Sequence, residues 1–478
     1  MFLRFSAAAL LCLSAAPVRA EPATPEGAAR IEAGLRTYLG PLDGVVAVVP
    51  QGETYAVTLD ATPFVALGKG ADVTGAISPI HLTLTDDGDG KWGVTQDEPF
   101  ALKLDVPEAL SVDLSVGVAR WAGVFDEALM AFASSDGRFE DLQVTERFTE
   151  AGSPESTVDY RIDRIDIVSS ATAAPGGGVD GTLRYTATGF AETFSAPGSA
   201  PFQFEFKAAR YDVVADAKGV RTEGVLGLLA WLVAHPSQEA ARADFDGMKE
   251  AARAALPIWD SLSGTGELQD IAVNTPFGSG GAKSARIAVD VNGIVADGRV
   301  RERVSLKGLD LPADLLPEWV PALLPDEVTV DVAVSGFDLA APAKILLDES
   351  ELDIAPTPEM EARLLAALLP QGRVTIELGP QGAASAIYTL DIEGGFDAGP
   401  GRLPEGSVTI GATGIEAVLE ALSAAPEDIR AGAVPGLMML RGIAKPAGVG
   451  RFAWVVEMTG EGKVLVNGLD MSALAGQP

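Results

Sequence analysis

The sequence predicts a β-rich α+β protein: long, bent antiparallel sheets with glycine bulges, flanked by several short amphipathic helices. Three observations carry this. Apolar and polar residues alternate over many short runs, of which Phe202, Phe204, Phe206 and Ala208 form the longest clear case. Strands with one dry and one wet face belong in antiparallel sheet. A polar-glycine pair recurs at the end of several such runs. Windows with helical spacing interrupt them.

Taken in order, Thr24-Pro25-Glu26 opens a helix, since Thr caps, Pro fits the first turn and Glu suits the helix dipole. Ile31, Leu35, Tyr38 and Leu39 share one face, and Gly40-Pro41 ends it. Alternation then takes over at Tyr55/Val57/Leu59, Leu102/Leu104/Val106 and Val158/Tyr160/Ile162. It resumes at Ile287/Val289/Val291, Val328/Val330/Val332/Val334 and Val374/Ile376/Leu378. Helical spacing is read at Trp121 to Ala133, in two helices broken at His235-Pro236 between Val225 and Asp260, after Thr357-Pro358-Glu359, and at Ile415 to Leu422 and Pro426 to Leu440.

The glycine punctuation is most regular in Val289-Asp290-Val291-Asn292-Gly293-Ile294, Val304-Ser305-Leu306-Lys307-Gly308-Leu309, Val332-Ala333-Val334-Ser335-Gly336-Phe337 and Val464-Leu465-Val466-Asn467-Gly468-Leu469. Weaker copies end at Gly189-Phe190 and Gly414-Ile415. Apolar positions run i, i+2, i+5. One extra residue therefore enters the alternation, which a β-bulge or sharp bend with Gly at positive φ accommodates while keeping the same face dry. Ile162 to Ile165 slips in the same way without glycine. Phosphate cradling is the competing use of such glycines, and the chain has neither G-x-G-x-x-G nor G-x-x-x-x-G-K-[ST].

Four segments follow from this pass. Residues 1–20 read as a secretory signal, with Arg4 as the charged start, a short apolar run and Val18-Arg19-Ala20 before the cleavage point. Residues 21–222 read as a β-rich half, 223–262 as a helical connector, and 263–478 as a second β-rich half with helices, the halves being two domains or parts of one elongated domain. Cys12, the one cysteine, lies in the signal behind Leu11, where a lipid-modified cysteine wants a small residue. No later apolar run reaches the length of a membrane span, Val225 to Ala234 being half of it. The signal looks bacterial, so the expected location is the periplasm, with no transmembrane anchor after cleavage.

Composition narrows the function. Across 478 residues, 35 Lys+Arg face 67 Asp+Glu, giving a net charge of −32, with two His and one Cys. Such a surface repels phosphate backbones, and no basic patch offsets it, so nucleic acid is not an expected partner. Clustered His and Cys for zinc are lacking. His81, in an alternating stretch, and His235, before Pro236, have no Ser or Cys partner motif, and no G-x-S-x-G elbow occurs. Asp86-Asp87-Gly88-Asp89-Gly90 invites a calcium reading, but Thr85 and Gln96 occupy the first and twelfth ligand positions. A hairpin turn between Leu82/Leu84 and Trp92/Val94 accounts for it. No catalytic, cofactor-binding or metal-ligating residue is nominated, and the expected protein is not an enzyme.

The short helix ending Gly34-Leu35-Arg36-Thr37-Tyr38-Leu39, the glycine-bent strands, and the closing Val464 to Met471 segment resemble the alphaproteobacterial envelope family termed domain of unknown function 2125. More loosely, the plan is similar to AsmA- and YdgA-type periplasmic proteins. That resemblance implies a β-sheet rolled into a groove with an apolar inner face, used around lipids. It brings no catalytic residues. Two expectations follow. One is a binding module holding a lipid or other apolar ligand in a curved sheet with helices plugging its ends. The other is an envelope scaffold that packs its dry faces into a core and uses its acidic exterior toward a protein partner.

Overall fold

The structure is a computed structural model and describes residues 22–67, 73–107, 109–149, 155–197, 201–312, 316–349 and 357–471. The expected signal, residues 1–20, lies outside them. Helix α1 (Pro25–Leu39) begins where predicted: Thr24 Oγ1 accepts the Gly27 N–H at 3.0 Å, and Gly40, at φ 88°, turns the chain out. Strands β1 (Val46–Gln51) and β2 (Thr54–Leu59), helix α2 (Thr62–Leu67), and strands β3 (Thr74–Ile77), β4 (Ile80–Gly88), β5 (Lys91–Asp97) and β6 (Phe100–Val106) complete an N-terminal corner. Asp89 and Gly90, at φ 53° and 73°, form the tight β4–β5 turn expected of Asp-Gly.

Strand β7 (Leu110–Asp126) overturns the helix expected over Trp121 to Ala133. A spacing of four is a multiple of two, so Trp121 and Phe125 share a face in a strand as well as in a helix. Both meet Phe132 of the next strand edge-on, at 4.7 and 5.4 Å between ring centroids. A meander follows through β8 (Ala131–Phe148), β9 (Ser156–Ala173), β10 (Val179–Ala196) and β11 (Phe202–Val220). Helices α3 (Thr222–Ala234), α4 (Gln238–Ala243) and α5 (Phe245–Ala255) interrupt it. It resumes as β12 (Ser261–Thr275), β13 (Gly278–Asn292), β14 (Gly298–Asp310) and β15 (Glu327–Phe337), then helices α6 (Ala340–Glu349) and α7 (Pro358–Leu368). Strands β16 (Val374–Ala384), β17 (Thr389–Ala398) and β18 (Glu405–Thr413), helices α8 (Ile415–Leu422) and α9 (Glu427–Ile443), and strands β19 (Lys445–Pro446), β20 (Arg451–Met458), β21 (Val464–Val466) and β22 (Leu469–Asp470) complete it.

Each strand from β7 to β18 pairs antiparallel with the next, and β18 pairs with β20. On its other side β7 takes β6 along its first half and β5 along its second. All 22 strands form one sheet, and among the described residues no pairing joins β1 or β3 to β20–β22, so the sheet stays open. Helices α3–α5 occupy the predicted connector, 223–262, yet the sheet runs through that point unbroken: Glu205 to Lys218 of β11 pair with Ser261 to Asn274 of β12. The strands taper from 19 residues in β11 to 8 in β20.

The glycine expectation separates into distinct geometries. Gly336 stands unopposed where the register shifts, between the pairs Arg299/Ser335 and Gly298/Phe337. Gly468 follows Asn467 in a tight turn, Gly414 turns β18 into α8, and Gly293 lies past the end of β13. Gly189 and Gly308 have positive φ, but the pairs on either side of each enclose equal numbers of residues on both strands, so neither inserts an extra residue.

Buried side chains gather at the N-terminal corner, where Ala28 of α1 meets Val46, Val48, Tyr55, Val57, Trp92 and Val94. There α1 covers one face of the sheet. At the far end α9 does the same: Trp454 of β20 donates its indole N–H to the Leu440 carbonyl at 2.8 Å.

Candidate functional site: the open apolar face

Between these two helical covers, the register sorts residues cleanly by face. One row of cross-strand neighbours reads Ile167, Tyr185, Val213, Gly266, Ile287, Val304 and Val330 from β9 to β15. The next row, one residue along, points the other way and reads Asp166, Thr186, Asp212, Glu267, Arg286, Ser305 and Thr329. The sheet therefore has an apolar face and a polar face throughout its middle.

The polar face is held by ion pairs between and along strands. Arg164 and Arg138 both bind Asp166, Arg210 binds Asp212, and Arg286 reaches Glu267. Hydrogen bonds from Arg164 and Arg138 hold the Asp166 carboxyl below its usual pKa, against the opposing effect of burial. Asp331 is fully buried and takes a two-pronged contact from Arg301, at 2.9 and 2.7 Å, which likewise lowers its pKa.

Among the described residues no second layer covers the middle of the apolar face. Ile287, Val304 and Val330 stand side by side and are 41%, 42% and 48% exposed. Two hollows lie on this face. One, of about 470 Å³, is lined by Tyr185, Ala187, Phe190, Phe206, Leu268 and Ile287 among others. The other, of about 580 Å³, lies farther along the same strands between Phe132, Leu183, Leu262, Val289 and Val291. Both fall within the roughly 300–1,000 Å³ of small-molecule sites.

A transverse crease shapes the first hollow. On eight successive strands the apolar side jumps by three residues instead of two: Val116/Ala119, Phe139/Leu142, Ile162/Ile165, Ala187/Phe190, Ala208/Tyr211, Leu268/Ile271, Ala282/Ala285 and Leu306/Leu309. These residues form two facing rows across the sheet. Positive φ occurs in alternate strands, at Asp141, Gly189, Asp270 and Gly308. A slip in one strand alone would need a bulge. A slip shared by every neighbour keeps the pairing in step and folds the whole sheet. Ala187 and Phe190, from opposite sides of the crease, line the same hollow, so the fold closes toward the apolar face. Ala119, Ile165, Ala187 and Ala208 beside the crease are buried.

The residues singled out from sequence lie elsewhere. His81 is exposed and meets Glu98 at 2.7 Å. His235 stacks on Trp231 and lies 3.3 Å from Asp244 at the end of α3. They belong to different elements and share no partner. Among the described residues no group of three or more His, Cys, Asp or Glu is placed to hold a metal ion, and no helix is long and apolar enough to cross a membrane. Sequence reasoning missed three carboxylates on the apolar face: Glu146 opposite Val158, Glu192 opposite Phe206, and Glu302 opposite Val289. Their signal was there, as single acidic interruptions of otherwise apolar alternate positions.

No protein-family model, curated protein or solved structure matches the chain.

Proposed function

We propose that this is a non-enzymatic protein of the bacterial envelope that holds a lipid or another elongated apolar ligand against the creased sheet. The observation that carries the reading is the uncovered row Ile287–Val304–Val330, which continues into two hollows of about 470 and 580 Å³. A monomer pays for leaving such a surface wet, and contiguous apolar patches of this extent mark binding sites. Helices cover the same face at both ends of the sheet, so an occupant is confined to the middle. The secretory signal read in residues 1–20 supports the periplasm as its place of work.

The scaffold alternative needs the dry faces to pack into a core, and the exposure of these valines favours the ligand instead. The test is native mass spectrometry, with lipid extraction, of the full protein purified from periplasm without detergent. Co-purified lipid at near-stoichiometric amounts, lost from an I287K/V330K variant that keeps its β-sheet circular dichroism, is the expected result. A ligand-free protein that also fails to bind a fluorescent acyl probe overturns the reading.

A further inference from the structure

The cross-strand rows of the apolar face carry carboxylates and no cations, and Arg286 of the polar face also borders the crease hollow. From β6 to β15 the rows contain Glu146, Glu192 and Glu302, while the Lys and Arg side chains of these strands fall on the polar face. No ion pair or hydrogen bond engages Glu146 or Glu192 among the described residues, although both are partly buried. Carboxylates without a partner charge on an otherwise apolar face make that part of it electronegative and complementary to a cation.

Their surroundings indicate what supplies it. Tyr160 stands between the two on β9, directly opposite Glu192 and one step diagonal to Glu146. Strand spacing puts the glutamates two strands, roughly 10 Å, apart across the Tyr160 ring. Burial raises the Tyr160 pKa, and the charges of Glu192 and Glu146 raise it further. Phenyl rings flank the group: Phe148 stacks on Phe194 at 6.4 Å, and Phe194 meets Phe202 at 6.2 Å. Phe206, opposite Glu192, also lines the hollow at the crease. Aromatic faces together with carboxylates recognise ammonium groups.

We infer that the occupant is a cationic amphiphile, an alkyl chain ending in an ammonium head, with the head over Tyr160 between Glu146 and Glu192 and the chain running through the crease hollow along β10–β13. This rests on the proposed apolar-ligand reading and names its ligand class. An anionic fatty acid would set like charges together. A second copy of the chain, face to face, would oppose the same glutamates.

The test compares three amphiphiles of equal chain length below their micelle concentrations, in physiological salt, by titration calorimetry on the full protein. They are dodecyltrimethylammonium, dodecyl maltoside and dodecanoate. About tenfold tighter binding of the ammonium than of the carboxylate is expected. The E146Q/E192Q variant should lose that preference while keeping its affinity for the maltoside. D290N/E393Q, which removes equal charge from the polar face, should leave the preference intact. Equal loss in both variants means the net charge of −32 acts at long range and overturns the proposal. Equal binding of all three heads overturns the head-group preference alone. No binding by any of them overturns the apolar-face reading as well.

Discussion

The open face can be distinguished from a packed core by what a hydroxyl costs there. Val330 is 48% exposed and its cross-strand neighbours Val304 and Ile287 nearly as much, whereas Val57 in the N-terminal core is 1% exposed. Burying a valine side chain completely is worth about 1.5–3 kcal/mol. Half-exposed Val330 has realised about half of that, so Val330→Thr, which keeps the β-branch and one methyl, costs at most about 1 kcal/mol with its hydroxyl wet. Val57→Thr exchanges a fully buried methyl, worth about 0.8 kcal/mol, for a buried hydroxyl, for about 3 kcal/mol in all. The triple change I287T/V304T/V330T costs about 3 kcal/mol on an open face, with some non-additivity between neighbours. Inside a core the same change costs about 9 kcal/mol and exceeds the stability of many domains. Urea unfolding followed by far-ultraviolet circular dichroism reads the difference. A Val330→Thr variant as damaged as Val57→Thr would refute an uncovered face.

Other consequences are equally concrete. Gly308 has φ 62° at the crease, and a Cβ there would press on the Lys283 side chain; Gly308→Asn, whose residue type tolerates this φ, should cost about 1–2 kcal/mol and Gly308→Val about 3 kcal/mol by thermal melt. Arg301→Met strands the fully buried Asp331 and is expected to cost about 3 kcal/mol, while Asp331→Asn leaves a partly exposed arginine that water can solvate and costs less. The Asp331 pKa is lowered by Arg301, so its contribution is present above the unfolded carboxyl value, about 3.9, and is lost as pH falls through the lower folded value. The acid limb of the stability profile should flatten in Arg301→Met. Trp454→Phe removes the bond to the Leu440 carbonyl and should raise amide exchange in α9 while changing global stability by about 1 kcal/mol.

What was legible in the sequence was local. The Thr24 and Thr357 caps, the Asp-Gly turn, the α8 boundaries and the alternation of Phe202 to Ala208 all depend on neighbours within a few residues, and each appears in the structure. The Trp121 to Ala133 window misled because four-residue spacing fits both periods. The crease was half seen. Glycine marks it at Gly189 and Gly308, but Asp141 and Asp270 mark it with a residue that also tolerates positive φ, and Ala208/Tyr211 with no marker at all. Its meaning lay in eight strands slipping at one level, which only the register displays. The unpaired glutamates were likewise invisible among 67 acidic residues until strand pairing placed them on the dry side.

The taper of the meander bears on how the molecule comes apart. Through the middle of the sheet each strand bonds only to the one before and the one after, so cohesion there is a chain of pairwise links, as in repeat proteins. Those links weaken steadily from the 19-residue β11 toward the 8-residue β20. The protein should therefore fray directionally from its C-terminal strands below its global transition, with hydrogen-exchange protection graded along the chain.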